Sequence, residues 1–243
     1  MNSINTDMHH ELTALWAWYD DTPTLRAAII TGAVLANKRL AFSAGADLKE
    51  WNERDGASDP RGAATGGFAG LSLRRGKKPI IAAVNGLCLG GGLEAAGNTD
   101  IIVAHKDAIF ALPETSRGVV AVAGLLPRLT LIVGLQRASE LALTGRVLTA
   151  EEAREWGLVS QVVDGDVVAA AVELAKKIEA QSPDSVIVTR AGLRSGLDGE
   201  SMEVAHRRVE EGIFRQLQAG DNIKEGLAAF VEKRPVKWTD SKL

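Results

Sequence analysis

The chain has 243 residues and a mass of 25.7 kDa, enough for one large domain or two small ones and past the size at which a core needs disulfide or metal staples. Apolar residues at 46% and charged residues at 24% match an ordinary globular composition, which excludes wholesale disorder. A net charge of −3 and a pI near 5.9 leave no basic footprint for nucleic acid, and no apolar run approaches the roughly 18 residues of a membrane span, so neither is expected as a partner.

Met1–Asp7 is polar and lacks the charged head and apolar middle of a secretory signal. From Thr6 to Tyr19, Met8, Leu12, Leu15, Trp16 and Tyr19 recur at helical steps, which predicts an amphipathic helix stopped by Asp20-Asp21-Thr22-Pro23. Leu25–Thr31 (LRAAIIT) and Ile80–Val84 (IIAAV) are short apolar runs closed by Gly32 and by Asn85-Gly86, and Ile101–Ala104 with Ala108–Leu112 continues the series. These runs predict a β/α series whose strands are buried on both faces. Between them, Asp55–Gly70 carries five glycines and four alanines and reads as a mobile loop. Beyond Pro127 the pattern predicts helices over Arg137–Leu143, from a capped start at Thr149-Ala150-Glu151-Glu152, over Val167–Ala180 and over Val204–Gln218. Cys88, the single cysteine, reads as a small core residue, and the four histidines show no zinc-ligand spacing, so no metal site is expected.

Two glycine-rich turns carry the chemical signal. Ala41-Phe42-Ser43-Ala44-Gly45-Ala46-Asp47-Leu48 and Asn85–Glu94, with Gly90-Gly91-Gly92 inside, each follow an apolar run and could open a helix. Glycines there let backbone N–H groups approach a developing oxyanion, and two such turns face to face would make an oxyanion hole. Neither turn gives a dinucleotide fingerprint or a phosphate loop, and tight helix–strand packing accounts for the glycines equally well. Glu94 lies about one helical turn after Gly91, and Glu114 follows the next apolar run. Two carboxylates in near-apolar surroundings suit paired proton transfer, but a capping Glu94 and a loop Glu114 fit the spacing as well.

Taken together, Arg26–Thr31, Ala41–Glu50 (AFSAGADLKE), Lys78–Asp100 (KPIIAAVNGLCLGGGLEAAGNTD), Phe110–Glu114, Ala142–Gly157 and Glu225–Arg234 (EGLAAFVEKR) resemble the enoyl-CoA hydratase/isomerase, or crotonase, superfamily over nearly the whole chain. The resemblance implies an α/β fold: a spiral of ββα units over residues 1–190, then a helical trimerisation region over 191–243, assembled as a homotrimer or a dimer of trimers. It implies that the N–H groups of Ala46 and Gly91 hold the thioester oxygen of an acyl-CoA. Glu94 and Glu114 fall at both hydratase positions, implying that Glu94 activates water for addition at C3 while Glu114 exchanges a proton at C2. No cofactor is implied, since coenzyme A is part of the substrate. Substrate and CoA contacts carry over to Ala44, Asp47, Leu48, Lys49 and Gly90, and to Phe214, Phe230 and Lys233 near the C-terminus. For the lysines and phenylalanines, solvated charge and ordinary core are competing readings.

The sequence departs from the superfamily pattern in three places. About two dozen residues forming the first strands in relatives have no counterpart before Met1, which would leave a sheet edge unpaired. Ala33–Leu40 is longer than the usual turn and lies beside Ala46. Val122 and Leu125 stand where relatives place glycines, in a segment that helps hold the catalytic water. The tail and Asn85–Gly92 also resemble a peroxisomal branch that includes mevalonyl-CoA hydratases of siderophore synthesis. Ser241-Lys242-Leu243 matches the tripeptide read by peroxisomal import receptors, so the peroxisome is the expected compartment. A 3,2-enoyl-CoA isomerase and a catalytically weak acyl-CoA-binding protein are the alternatives.

Overall fold

The computed structural model describes residues 1–34, 36, 40–53 and 66–243. The apolar runs pair into two four-stranded sheets. In the first, β1 (Ala28–Thr31), β3 (Ile80–Val84), β5 (Ile101–His105) and β8 (Gln161–Val163) lie in that order; in the second, β2 (Ala41–Ser43), β4 (Leu87–Leu89), β6 (Ile109–Ala111) and β7 (Val147–Thr149) do. Each pass of the chain lays one strand in each sheet and then turns through α2 (Leu48–Glu53), α3 (Gly91–Ala96) or a 3₁₀ turn at Pro113–Arg117, which is the expected ββα spiral. β3 pairs in parallel with β5 (Ile81 with Ile101), and β4 with β6 (Leu89 with Ala111), while β7 runs antiparallel to β6.

Burial follows position in the sheets. All five residues of β3 are buried, as expected for a strand covered on both faces, whereas β1 ends its sheet and is only half-buried. Phe110, Leu93, Leu125, Leu129, Leu141 and Leu148 fill the core, each burial contributing roughly 1.5–3 kcal/mol. Cys88 is fully buried among them, and desolvation pushes its thiol pKa up.

The predicted N-terminal helix forms as α1 (Thr6–Asp21), with Trp16 and Tyr19 turned inward. Trp16 donates its indole N–H to the Ala69 carbonyl at 3.1 Å. Residues 55–65 of the stretch expected to be a mobile loop lie outside the described residues, as do 54 before it and 35 and 37–39 of the Ala33–Leu40 insertion. The end of that stretch departs from the expectation: Phe68, Ala69 and Gly70 form a buried turn, because Phe68 supplies the apolar anchor that a glycine and alanine count underweights. α4 (Leu125–Val133) and α5 (Leu135–Thr144) follow, and α6 (Ala150–Glu155) opens with the expected capping box between Thr149 and Glu152.

Contacts divide the chain into two units, one holding residues 1–18, 29–75 and 80–172, the other 19–28, 76–79 and 173–243. The division expected at 190/191 lies inside α8 (Pro183–Ser195), which follows α7 (Val167–Glu179). The single helix expected over Val204–Gln218 is two, α9 (Met202–Glu211) and α10 (Ile213–Ala219). Gly212 separates them with φ −97° and ψ −107°, where a Cβ would stand 2.6 Å from the Arg208 carbonyl oxygen. α11 (Asp221–Glu232) is followed by a returning tail: Arg234 forks onto Glu225 at 2.7 and 2.8 Å, and Trp238 lies against Gly226.

Candidate active site

Parallel pairing of β2, β4 and β6 brings their C-terminal ends to one edge of the second sheet, where ligands of open α/β sheets bind. The two glycine-rich turns and the Pro113–Arg117 turn leave from those ends. Gly45 has φ +88°, and a Cβ there would stand 2.8 Å from the Gly91 nitrogen, so only glycine lets the first turn lie against the second. The first turn is braced by the N-terminal residues: Ile4 N–H donates to the Gly45 carbonyl at 2.9 Å, and Asp47 N–H donates to the Ile4 carbonyl at 3.1 Å. The N–H groups of Ala46 and Gly91 donate to no described residue. The two free donors that an oxyanion hole needs are therefore present on adjacent turns.

They open into a cavity of about 480 Å³ that holds both glutamates. Gly90 N–H donates to the Ala111 carbonyl at 3.0 Å, tying the second turn to the end of β6. A Cβ on Gly90 would meet Glu114 Oε1 at 2.8 Å, so the glycine makes room for that carboxylate. Phe68 lies over Gly91, with ring carbons 2.9 Å from where a Cβ would be. Ala44, Ala46, Leu48, Gly90, Gly91, Glu94 and Glu114 line this one cavity together.

Both carboxylates are short of partners: Glu94 Oε1 and Glu114 Oε2 are buried without a hydrogen bond. Burial pushes the Glu94 pKa up to about 7; the backbone amides of Leu125, Ala123 and Gly124 pull the other way, and the charge of Glu114 adds to the rise. Glu114 is also raised by burial, partly offset by its own backbone amide and by the positive charge of Arg117. Two buried carboxyls raised in this sense suit a site in which one serves as acid and the other as base.

Val122 and Leu125, the two residues that replace the expected glycines, have separate structural outcomes. Leu125 turns its side chain into the core against Gly97, where a Cβ would meet Leu125 Cδ1 at 2.4 Å, and its amide still favours the charged form of Glu94. Val122 projects into solvent at 76% exposure, and its N–H donates to the Val120 carbonyl at 3.0 Å.

The other expected site residues lie at α2 and at α10 and α11. Asp47 caps α2 by accepting from the Lys49 N–H at 3.0 Å, and Lys49 is exposed on that helix. Phe214 on α10, Phe230 on α11 at 85% exposure and Lys233 at the end of α11 belong to the second unit. In that unit Ser241 is buried, Lys242 pairs with Asp221 at 2.7 Å, and the Leu243 carbonyl accepts from Lys77. Sequence reasoning missed Trp51, Phe68, Arg117, Val119 and Val120 as lining residues. Arg117 had a signal, three residues after Glu114 in a short turn; Phe68, inside a glycine-rich stretch, had none.

The close approach at Gly45 is directly testable. Gly45→Ala places a methyl against the Gly91 nitrogen and strains the positive φ, so kcat should fall by about 10²–10³, the usual cost of losing one oxyanion donor. Steady-state kinetics would check this, with near-ultraviolet circular dichroism to verify the fold.

A spiral of ββα units with two free N–H groups facing a pair of buried carboxylates defines a class of thioester enzyme. The chain matches the enoyl-CoA hydratase/isomerase family over residues 1–241 and belongs to it. It is an enzyme of the enoyl-CoA hydratase type, a carbon–oxygen lyase. It is 55% identical to the mevalonyl-coenzyme A hydratase SIDH of Beauveria bassiana and 48% identical to its namesake in Aspergillus fumigatus, covering the whole of this chain and 88% of each relative. Carnitinyl-CoA dehydratase of Escherichia coli K12 is 37% identical, over 98% of this chain and 90% of that one. Among solved structures, enoyl-CoA hydratase EchA1 from Mycobacterium marinum superposes with a TM-score of 0.87 at 35% identity, over 98% of this chain and 90% of that one.

Proposed function

We propose that this enzyme interconverts mevalonyl-CoA and its C2–C3 enoyl thioester by removing or adding water, as a step of siderophore synthesis. The reaction rests on one observation, the two buried carboxylates sharing a cavity with the Ala46 and Gly91 N–H groups. The substrate rests on similarity to the two mevalonyl-coenzyme A hydratases. In the hydration direction, Glu94 takes a proton from water as its oxygen bonds to C3, electrons move through C2 to the thioester oxygen, and the two N–H groups hold the enolate. Glu114 then delivers a proton to C2. Electrons stay within the enoyl system, so the chemistry asks for no redox group.

Two features extend the proposal. The exposed apolar side chains of α11, Leu227, Phe230 and Val231, suit a homotrimer or a dimer of trimers. The Ser241-Lys242-Leu243 tail suits the peroxisome; reading by an import receptor requires the Lys242–Asp221 pair to open.

Substrate preference is tested by following enoyl-thioester absorbance with mevalonyl-CoA and, in the hydration direction, with crotonyl-CoA and the enoyl product of mevalonyl-CoA. The proposal expects turnover of mevalonyl-CoA and a kcat/KM for its enoyl product at least tenfold above that for crotonyl-CoA. A reversed preference would contradict the substrate assignment while leaving the hydratase chemistry intact. Double-bond migration without water addition would favour the isomerase instead.

A further inference from the structure

Apart from the two carboxylates, one ionisable side chain lines the cavity among the described residues: Arg117. It makes no hydrogen bond or ion pair with any described residue, although Glu114 stands one turn away on the same element. In a 3₁₀ turn, residues i and i+3 lie one above the other, about 6 Å apart along the axis. Glu114 and Arg117 therefore share a face, and Gly118 in the left-handed conformation ends the turn immediately after the arginine. Beyond Glu114 the cavity rim is lined by the half-buried Val119 and by Val120 and Val122, both largely exposed.

That arrangement has a direction. With the thioester oxygen at Ala46 and Gly91 and the reacting carbons between the carboxylates, as the hydratase reading places them, an acyl chain continuing past C3 would run along the Glu114 face toward Arg117. A guanidinium presents five N–H donors and no acceptor, so it suits an oxygen and opposes an ammonium. Arg117 is exposed at the mouth of the cavity, so water answers its donors in the free protein; a methyl-ended chain would displace that water without replacing its hydrogen bonds, whereas an oxygen-ended one replaces them.

We propose that Arg117 is a specificity-determining residue that recognises an oxygen acceptor, hydroxyl or carboxylate, at the distal end of the acyl group. The inference rests on the acyl-CoA hydratase reading and deepens it by naming the substrate's far end and the residue that selects it. It also separates this site from one built for a trimethylammonium-ended acyl group, which the arginine repels.

The test uses the full chain, wild type and Arg117→Leu, with Arg117→Lys as a second variant should the leucine substitution not fold. Three 3-methyl-2-enoyl-CoA thioesters of matched length are supplied, ending in a hydroxyl, a carboxylate or a methyl. Wild type is expected to prefer an oxygen-ended thioester over the methyl-ended one, and Arg117→Leu to lower that ratio of kcat/KM by about 10- to 100-fold, the range of a charge-assisted hydrogen bond. Whether hydroxyl or carboxylate is preferred identifies the source of the oxygen. An unchanged ratio overturns the proposal, including the case in which both rates fall together because Arg117 acts only through the charge of Glu114. Should wild type hydrate none of the three, the hydratase reading fails separately, and the same ratio measured as Kd by calorimetry still decides the role of Arg117.

Discussion

Replacing Glu94 by Gln is expected to lower the rate of water addition by about 10²–10⁴ while making the folded protein more stable above pH 7. The two effects share one cause. Glu94 is 4% exposed, has an unpartnered oxygen, and titrates near 7 rather than 4.5, because ionisation in that setting forfeits hydration. A carboxyl whose folded pKa lies above its unfolded pKa favours the native state fully below the unfolded value and loses that contribution as pH rises through the folded one. Over the interval from 4.5 to about 7 this amounts to about 3 kcal/mol. Glutamine keeps the shape and cannot ionise, so the stability difference between variant and wild type should be near zero at pH 4 and level off above pH 7. Denaturant unfolding across that range checks it. A difference that stayed flat with pH would contradict the buried, shifted carboxyl.

Glu114→Gln is expected to cost a similar factor in rate, since it removes the group proposed to exchange the C2 proton. Its second effect distinguishes it from a general loss of structure. The charge of Glu114 contributes to the raised pKa of Glu94, so removing it should let Glu94 ionise at lower pH. The acid limb of the residual activity should therefore shift toward lower pH, and an infrared titration of the remaining buried carboxyl should shift with it. An unchanged titration would mean that the two carboxylates do not interact.

Much of the fold was legible from short-range signals. Ile80–Val84 reads as a buried strand from its apolar run and forms one with the same limits, and the Thr149–Glu152 capping box starts a helix where the pattern places it. Gly212 within Val204–Gln218 gives no clear break in the sequence, because a lone glycine in a helical pattern is often tolerated. The site was legible only in part from the residues themselves. Spacing could not bring Glu94 and Glu114 together, since their meeting depends on the parallel register of β4 and β6, a long-range fact that pairs Leu89 with Ala111. The family resemblance supplied that pairing. Phe68 against Gly91 emerged only with the fold, because it acts through a neighbour distant in sequence, whereas the spacing of Arg117 from Glu114 was visible locally and only its place at the cavity needed the fold.

In the proposed reaction Glu94 and Glu114 add water and a proton across one double bond held at Ala46 and Gly91. Mass spectrometry of the product formed from the enoyl thioester in deuterated, ¹⁸O-labelled water reads that event directly. One ¹⁸O at C3 and one deuterium at C2, both strongly reduced by either glutamine substitution, is the expected result. Deuterium at C4 without ¹⁸O, or labelling that survives both substitutions, would contradict it.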